Sequence, residues 1–189
     1  DSTLLILQNR FKAKNNCPRI ELVKEYGNLP LVECYAGQIN QVLMNAIANA
    51  IDAIEERMVQ GSYPHPMIQI ITAVVGKSAL IRIADNGIGM TEEVQERLFD
   101  SFFTTKPLGK GTGLGLSISY QIVVEKHGGE LWCESTPGQG TEFWIKIPLC
   151  QGVKAEATSV SAASPFICAG NPETPIKWDK EEKGEKLLL

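Results

Sequence analysis

The sequence predicts a single α/β domain, because one long amphipathic helical segment stands among runs of residues with the pattern of β-strands. From Gln38 to about Val59, apolar residues recur at every third or fourth position, as on the buried face of a helix. Strand-like runs rich in isoleucine and valine follow at Met67 to Val75 and Ala79 to Ala84. With 189 residues and 43% hydrophobic content, the chain is long enough to bury one good core.

The elements of the first half are predicted from turn signals and apolar spacing. Residues 2–13 form a short helical piece, which ends where turn-forming residues follow. Two strands, Ile20 to Tyr26 and Leu31 to Tyr35, are expected around the turn 27–30. The two strands after the long helix form a hairpin around Gly76-Lys77-Ser78.

The second half is predicted to hold two shorter helices and a final strand pair. A short helix starts at Thr91, because acidic residues follow it and favour the positive end of a helix. A further helix covers Leu116 to Lys126 and ends at a C-cap glycine within 127–129. The last strands, near 130–135 and 141–148, flank a turn at 136–140. Residues 151–189 show no period and are expected to form a flexible tail.

Composition and charge exclude several classes of function. A net charge of −4 gives no general attraction to a nucleic-acid backbone, so DNA and RNA are poor partner candidates. The five cysteines are scattered and never form a CxxC pair, which argues against a disulfide framework or a zinc site. No apolar run approaches the ~18 residues that span a bilayer. We therefore expect a cytoplasmic chain, and membrane attachment of a larger parent protein stays open.

Four polar residues form one line along the long helix, opposite its apolar stripe. Asn45, Asn49, Asp52 and Glu56 lie at offsets of 4, 7 and 11 from the first of them. Their oxygens could converge on one ion, and amide oxygens suit Mg²⁺, which takes the rest of its shell from waters and substrate phosphates. An ordinary solvated helix face is the alternative interpretation.

An acidic residue followed by two glycines ends the second strand of the hairpin. The run Ile81 to Met90 places Asp85 at the strand end, just before Gly87 and Gly89. A charged carboxylate facing a pocket is costly unless a donor meets it. The 6-amino group of adenine is such a donor, and the glycines would let a flat base approach the backbone. A plain Asp-Asn-Gly turn is the alternative.

A glycine-rich run, 109–115, leads directly into the helix predicted from Leu116. Glycine frees backbone amides to point at phosphate oxygens, and the helix start adds the positive end of its dipole. Lys106 and Lys110 add positive charge. The run matches neither a P-loop nor a Rossmann turn, so it indicates another kind of nucleotide site, with a flexible linker as the alternative.

The segment Leu98 to Lys106 is interpreted as part of a mobile lid. Its aromatic residues, Phe99, Phe102 and Phe103, are expected to anchor the lid on the core. Thr104, Thr105 and Lys106 could reach phosphates.

Together, these four segments resemble the N, G1, F and G2 boxes of the sensor histidine kinases, which share the Bergerat ATP-binding fold with gyrase and mismatch-repair ATPases. The resemblance covers about residues 14–150, including a closing strand pair within Thr136 to Pro148. It implies a two-layer α/β sandwich, in which a mixed sheet of about five strands carries three helices on one face. It also implies ATP and Mg²⁺ as ligands.

The resemblance implies a role for each matching residue. Asn49 resembles the magnesium ligand and Asn45 its companion near the ion and the phosphates, so these two are the expected catalytic residues. Asp85 matches the adenine reader, with Gly87 and Gly89 beside the base. The lid amides around the triphosphate match Gly111, Thr112, Gly113, Leu114 and Gly115. Asp52 stands where many relatives carry lysine or arginine, and we expect Lys106 or Lys110 to compensate.

Asn45 separates two branches of the superfamily. The ATPases carry a glutamate one helical turn before the metal asparagine, where it activates water, and an amide cannot accept that proton. We therefore expect slow hydrolysis and transfer of the γ-phosphate to another nucleophile. Neither His65 nor His127 sits in the acceptor pattern of the family, a His-Glu pair before an apolar helix, so the acceptor histidine is expected upstream of this chain.

The prediction that follows is a protein histidine kinase whose partners lie outside the chain. Residues 1–13 would be the end of the preceding dimerisation and phosphoacceptor helix, 14–150 the catalytic ATP-binding domain and 151–189 the tail. The expected partners are the dimerisation domain of the same protein, within a homodimer, and the receiver domain of a response regulator. Two alternatives stay open: an ATPase clamp of the gyrase or mismatch-repair type, and an inactive domain that only docks a partner.

Overall fold

The structure, a computed structural model, describes residues 2–12, 18–61, 65–107 and 111–150. Lys110 and the predicted tail 151–189 lie outside the described residues. The elements in chain order are α1 (Ser2–Leu7), β1 (Glu21–Tyr26), α2 (Ala36–Gln60), β2 (Met67–Val75), β3 (Ser78–Asp85), α3 (Glu92–Glu96), α4 (Gly115–Tyr120), a π-helical continuation of α4 (Gln121–Lys126), β4 (Glu130–Thr136) and β5 (Gly140–Pro148).

The five strands form one mixed sheet in the order β1-β2-β3-β5-β4. β1 runs parallel to β2, and the helix α2 makes the crossover between them, while all other neighbours are antiparallel. The hairpin between β2 and β3 turns at Gly76, whose φ of +60° is a conformation that glycine adopts without steric cost. The predicted α/β fold with a mixed five-stranded sheet is confirmed.

The core lies between the sheet and α2. The predicted apolar stripe of α2 is buried, with Ile51 and Ile54 fully inaccessible to solvent. They belong to one apolar cluster with side chains of the three central strands: Ile68, Ile70, Ile83, Ile145 and Ile147. Each such side chain contributes about 1.5–3 kcal/mol when fully buried, so α2 is held as a rigid wall against the sheet.

The N-terminal segment packs onto the same core. Leu4, Leu7 and Phe11 are each at least nine-tenths buried and join the cluster of α2 and the sheet. The amide of Ile20 donates to the carbonyl of Phe11 at 3.0 Å, which ties the segment to the start of β1. Half of the apolar opening thus packs inside this domain, whereas Leu5 and Ile6 are exposed.

The predicted strand Leu31 to Tyr35 is wrong. Residues 27–35 form an irregular connection, in which the amide of Glu33 donates to the carbonyl of Leu149 at 2.9 Å. Val32 and Cys34 pack against the core while Leu31 is fully exposed, so the alternation is present, but the segment pairs with no strand of the described sheet. β1 pairs with β2 instead of forming a hairpin with this segment.

The predicted helix 116–126 is present, but it changes type midway. It begins as α-helix at Gly115 and continues from Gln121 as π-helix. Gly128, with a φ of +61°, ends it as the predicted C-cap glycine. The predicted short helix also forms, with Thr91 as the residue before its first turn.

Candidate functional site

The helix α2 supplies one wall of the candidate site. The side-chain amide of Asn45 donates to the carbonyl of Gly115 at 2.8 Å and to the hydroxyl of Ser119 at 3.1 Å. These bonds fasten the end of the glycine-rich run and the start of α4 to α2. Because both bonds use the side-chain nitrogen of Asn45, its side-chain oxygen is the atom that could bind a ligand.

Asn49 and Asp52 share one cation from the predicted lid. The ammonium group of Lys106 donates to Asn49 Oδ1 at 3.1 Å and forms an ion pair with Asp52 Oδ2. One helical turn separates the two acceptors, so both oxygens point to the same place. Of the predicted line of four polar side chains, Asn49 and Asp52 therefore converge on one positive charge, whereas Asn45 bonds Gly115 and Ser119 instead.

A second cation reaches Asp52 from the N-terminal segment. Arg10 donates to Asp52 Oδ1 at 2.6 Å and to Glu55 Oε2 at 2.9 Å. Partial burial disfavours the ionised form of Asp52, but the hydrogen bonds and charges of Lys106 and Arg10 outweigh it and lower the pKa of this carboxyl. Asp52 is thus an anion at neutral pH.

Asp85 lies at the end of β3, and only 8% of its surface is accessible. Its Oδ1 accepts a hydrogen bond from the amide of Gly87 at 2.8 Å. Burial raises the pKa of Asp85 to about 7, although backbone hydrogen bonds from Gly87 and Thr141 oppose the rise. A hydrogen-bond donor was expected for this carboxylate, and the backbone amides of Gly87 and Thr141 are two such donors.

The loop after Asp85 is tightly packed between α2 and the β4–β5 turn. A methyl group on Gly87 would lie 2.7 Å from the backbone of Ala53 in α2. One on Gly89, whose φ is +69°, would lie 2.1 Å from the carbonyl oxygen of Thr136. Glycine is therefore required at both positions. The same helix, α2, thus bears Asn49 and Asp52 and also packs against this loop.

Two residues that sequence reasoning missed complete this end of the site. Arg57 of α2 donates to the carbonyls of Asn86 at 2.6 Å and Gly87 at 3.1 Å, which clamps the loop. Thr141 is paired with Asp85 across β3 and β5, is 4% exposed and holds its hydroxyl 2.9 Å from that of Ser135. In the sequence, Thr141 stood out only as a residue of the closing strand pair. Its position opposite Asp85 depends on the strand register, which is a tertiary feature.

The lid is held by backbone contacts between its two ends. The amide of Phe102 donates to the carbonyl of Gly113 at 2.9 Å, and a methyl group on Gly113 would lie 2.4 Å from the backbone of Phe102. A methyl group on Gly111 would lie 2.5 Å from the hydroxyl of Thr104. The segments predicted to surround the phosphates thus touch each other and, through Lys106, α2.

The prediction that all three lid aromatics anchor the lid is wrong for Phe102. Phe99 packs against the core and against Tyr120, with ring centroids 5.5 Å apart, and Phe103 lies under the guanidinium of Arg97 at 4.4 Å. Phe102 instead is 75% exposed and adopts a φ of +68°. Its backbone is fixed by the pairing with Gly113, and this turns its ring outward.

Not every predicted residue joins the cluster. Thr105 and Thr112 are exposed, and Leu114 precedes α4 with its carbonyl accepting from the hydroxyl of Ser117 at 3.1 Å. Lys110 lies outside the described residues. Lys106 is therefore the lid lysine that the structure brings to α2.

The two histidines have the structural surroundings expected from the sequence. His127 is 1% exposed, and both ring nitrogens are engaged: Nδ1 with the carbonyl of Ile122 at 2.6 Å and Nε2 with the amide of Tyr35 at 3.1 Å. His65 is exposed in the connection before β2, where its carbonyl accepts from the side chain of Asn86.

The donor set fits a magnesium nucleotide. Lys106 shows that oxygens of Asn49 and Asp52 accept a cation, and the buried Asp85 offers an acceptor beside a loop without side chains at Gly87 and Gly89. Asn49 and Asn45 are the residues that would hold the ion, which also needs oxygens from the substrate.

Comparison with known proteins gives a consistent result. A family model described as histidine kinase-, DNA gyrase B-, and HSP90-like ATPase matches residues 35–151. Sporulation kinase E of Bacillus subtilis (strain 168) is 36% identical over 152 residues, which are 80% of this chain and 19% of that protein. The chain thus spans about a fifth of the length of this relative.

Two solved structures are similar in fold. The catalytic domain of histidine kinase ThkA, in a nucleotide-free form, has a TM-score of 0.63 and 31% identity, covering 78% of this chain and 88% of that one. ThkA in complex with the response regulator protein TrrA has a TM-score of 0.60 and 28% identity, covering 79% of this chain and 39% of that one.

In the part of the chain that the structure describes, no helix is both long and apolar enough to cross a membrane.

Proposed function

The chain belongs to the histidine kinase-, DNA gyrase B- and HSP90-like ATPases, as the ATPase domain of a histidine kinase, and from this premise we propose that it binds Mg-ATP and delivers the γ-phosphate to a histidine. The observation that carries the proposal is the position of α2. This helix brings Asn45 and Asn49 to the lid and, through Ala53 and Arg57, supports the loop beside Asp85. One rigid element therefore serves both ends of a nucleotide.

Each residue has a distinct task in this proposal. Asp85 accepts a hydrogen bond from the adenine amine, while Gly87 and Gly89 let the loop beside it pack against Ala53 and Thr136. Asn49 and Asn45 hold Mg²⁺, which neutralises charge on the phosphates, and the amides of Gly111, Gly113 and Gly115 surround the triphosphate. Because Asn45 cannot accept a proton from water, the γ-phosphate is kept for a better nucleophile.

That nucleophile is a histidine of a helical dimerisation domain in the same protein, and α1 (Ser2–Leu7) is the end of the last helix of that domain. Both ring nitrogens of His127 are engaged inside the fold, which supports an acceptor other than this residue. The receiver domain of a response regulator is the proposed next acceptor, in line with the ThkA complex with TrrA.

Titration calorimetry of the 189-residue chain with Mg-ATP tests the binding step. Asn49→Ala should abolish measurable binding, whereas Asn28→Ala, which removes an exposed amide from the loop before α2, should leave the affinity unchanged. If the intact chain fails to bind Mg-ATP, the proposal is wrong.

Radiolabelled ATP tests the transfer step. The chain should label the histidine of an added dimerisation domain but not itself, and its release of free phosphate should be slow. Acid-labile label on His65 or His127 would contradict the assignment of the acceptor. A steady hydrolysis rate that Asn45→Ala removes would favour an ATPase clamp.

A further inference from the structure

The strongest unassigned feature is a cluster of charges around Asp52. Arg10 contacts one oxygen of this carboxylate and Lys106 the other, while Glu55 takes a second hydrogen bond from Arg10. The three central side chains are each about one-third exposed: 30% for Arg10, 33% for Asp52 and 34% for Lys106. Asp52 thus joins the N-terminal segment to the lid.

Lys106 occupies a position that the proposed function gives to a metal ion. Its ammonium lies 3.1 Å from Asn49 Oδ1, the proposed metal ligand, and is held there by Asp52. A divalent ion at Asn49 and the ammonium of Lys106 would repel each other at this distance. The contact of Lys106 with α2 and a metal at Asn49 are therefore mutually exclusive.

We propose that Asp52 is a positioning residue that holds the lid lysine, Lys106, on the metal position when no nucleotide is bound, and that Arg10 sets how firmly it does so. The inference rests on the proposed function and adds a regulated lid to it. Binding of a magnesium nucleotide transfers Lys106 from Asp52 to a phosphate, and Arg10 then remains as the partner of Asp52.

Arg10 is well placed for this task. It follows α1, its backbone amide donates to the carbonyl of Leu7 at 2.8 Å, and the burial of Leu7 and Phe11 fixes the segment on the core. With Arg10 in place, the charge of Asp52 is shared between two cations. A displacement of this segment that withdraws Arg10 leaves the charge of Asp52 to Lys106 alone and strengthens the ion pair between these two residues.

Calorimetric affinities for Mg-ATP in a double-mutant cycle test the proposal. Asp52→Asn should tighten binding about three- to tenfold, because Lys106 is released and a negative charge near the phosphates is removed. In a Lys106→Gln background the same change should have less than half of this effect. Glu21→Gln, which neutralises an exposed carboxylate on β1, should leave the affinity unchanged.

Two outcomes would overturn the proposal. Weaker binding by Asp52→Asn would make Asp52 a metal ligand. Equal tightening with and without Lys106 would reduce its role to general charge repulsion. Arg10→Gln should weaken Mg-ATP binding about two- to threefold, again only while Lys106 is present, and tighter binding would contradict its part in the proposal.

A second cycle separates this proposal from the proposed function. Urea unfolding of the nucleotide-free chain with Asp52→Asn, Lys106→Gln and both changes measures the coupling of the pair without any ligand. Coupling should be present at low salt and lost at about 1 M salt. A chain that fails to bind Mg-ATP but shows this coupling refutes the proposed function, and a chain that binds Mg-ATP without the coupling refutes the role of Asp52.

Discussion

The two ends of the candidate nucleotide site are built differently. At the Asp85 end, the loop is fixed by backbone hydrogen bonds, by the Arg57 clamp and by glycines that touch neighbouring backbone. At the lid end, the described residues are held by the backbone pairing of Phe102 with Gly113, by the packing of Phe99 and by the partly exposed ion pair of Lys106 with Asp52. The first end is therefore rigid, as the proposed base site requires, whereas the second can rearrange at little cost, as the proposed phosphate site requires.

The largest effect should come from Gly140→Ala at the preformed end. Gly140 has a φ of +107°, and a methyl group there would lie 2.0 Å from the carbonyl oxygen of Asp85. We expect a loss of about 3 kcal/mol or more in the free energy of unfolding, measured with urea.

Gly138→Ala is the matched control for this loss. Gly138 also has a positive φ, +76°, but an added methyl group would meet no atom within 4 Å. Its cost should be about 1 kcal/mol. Equal losses in the two variants would mean that the Asp85 end is not tightly packed.

Asp85→Asn should weaken ATP binding about 30- to 100-fold. The amide retains one acceptor oxygen but brings two donors into a buried site that already contains the donors of Gly87 and Thr141. Calorimetry with ATP and GTP checks this, because the variant should also lose its preference for adenine. If part of the variant protein were unfolded, the measured number of binding sites per chain would fall, but the preference for ATP over GTP would not change.

Acidification should weaken ATP binding through Asp85. Burial raises the pKa of its carboxyl to about 7, and the proposed hydrogen bond from the adenine amine needs the ionised form, so binding should release a proton below that pH. Affinity should fall by up to about tenfold per pH unit below pH 7. Calorimetry in buffers of different ionisation enthalpy measures both effects, and Asp85→Asn should show neither.

The same carboxyl acts with the opposite sign on the stability of the nucleotide-free chain. Its folded-state pKa lies above the ordinary value of 3.8, so the folded state binds more protons between the two values. Its contribution to stability is fully present below pH 3.8 and is lost as the pH rises through about 7.

The smallest effect on folding should come from Gly113→Ala in the lid. Gly113 has a φ of +65°, and the added methyl group would press on the backbone of Phe102. Because the exposed lid can shift, we expect a stability loss of only about 1 kcal/mol but an affinity loss of about fivefold. A stability loss as large as that of Gly140→Ala would show that the lid is as rigid as the Asp85 end.

Periodicity in the sequence was sufficient for the long helix, the hairpin and the last strand pair, because each has a regular buried face. It failed at Leu31 to Tyr35, where the alternation of exposed and half-buried side chains is present but the segment pairs with no described strand. It also could not predict the π-helical half of the helix after Gly115, because a segment of 6 residues is too short to distinguish a π-helical repeat from an α-helical one.

In the candidate site, local spacing brought out the residues that are close in sequence. Asn49 and Asp52 indeed share one cation, and Asp85 leads into a loop that requires glycines. Arg10, Arg57 and Thr141 were missed because their contacts join segments far apart in the chain, and only the tertiary fold sets them.

The packing of α1 has a practical consequence for protein production. Leu4, Leu7 and Phe11 fill part of the core, and β1 covers the edge of β2. A recombinant version begun at α2 would leave an unpaired strand edge and a bare apolar surface, two well-known causes of aggregation. Expression trials should therefore keep the whole N-terminal segment.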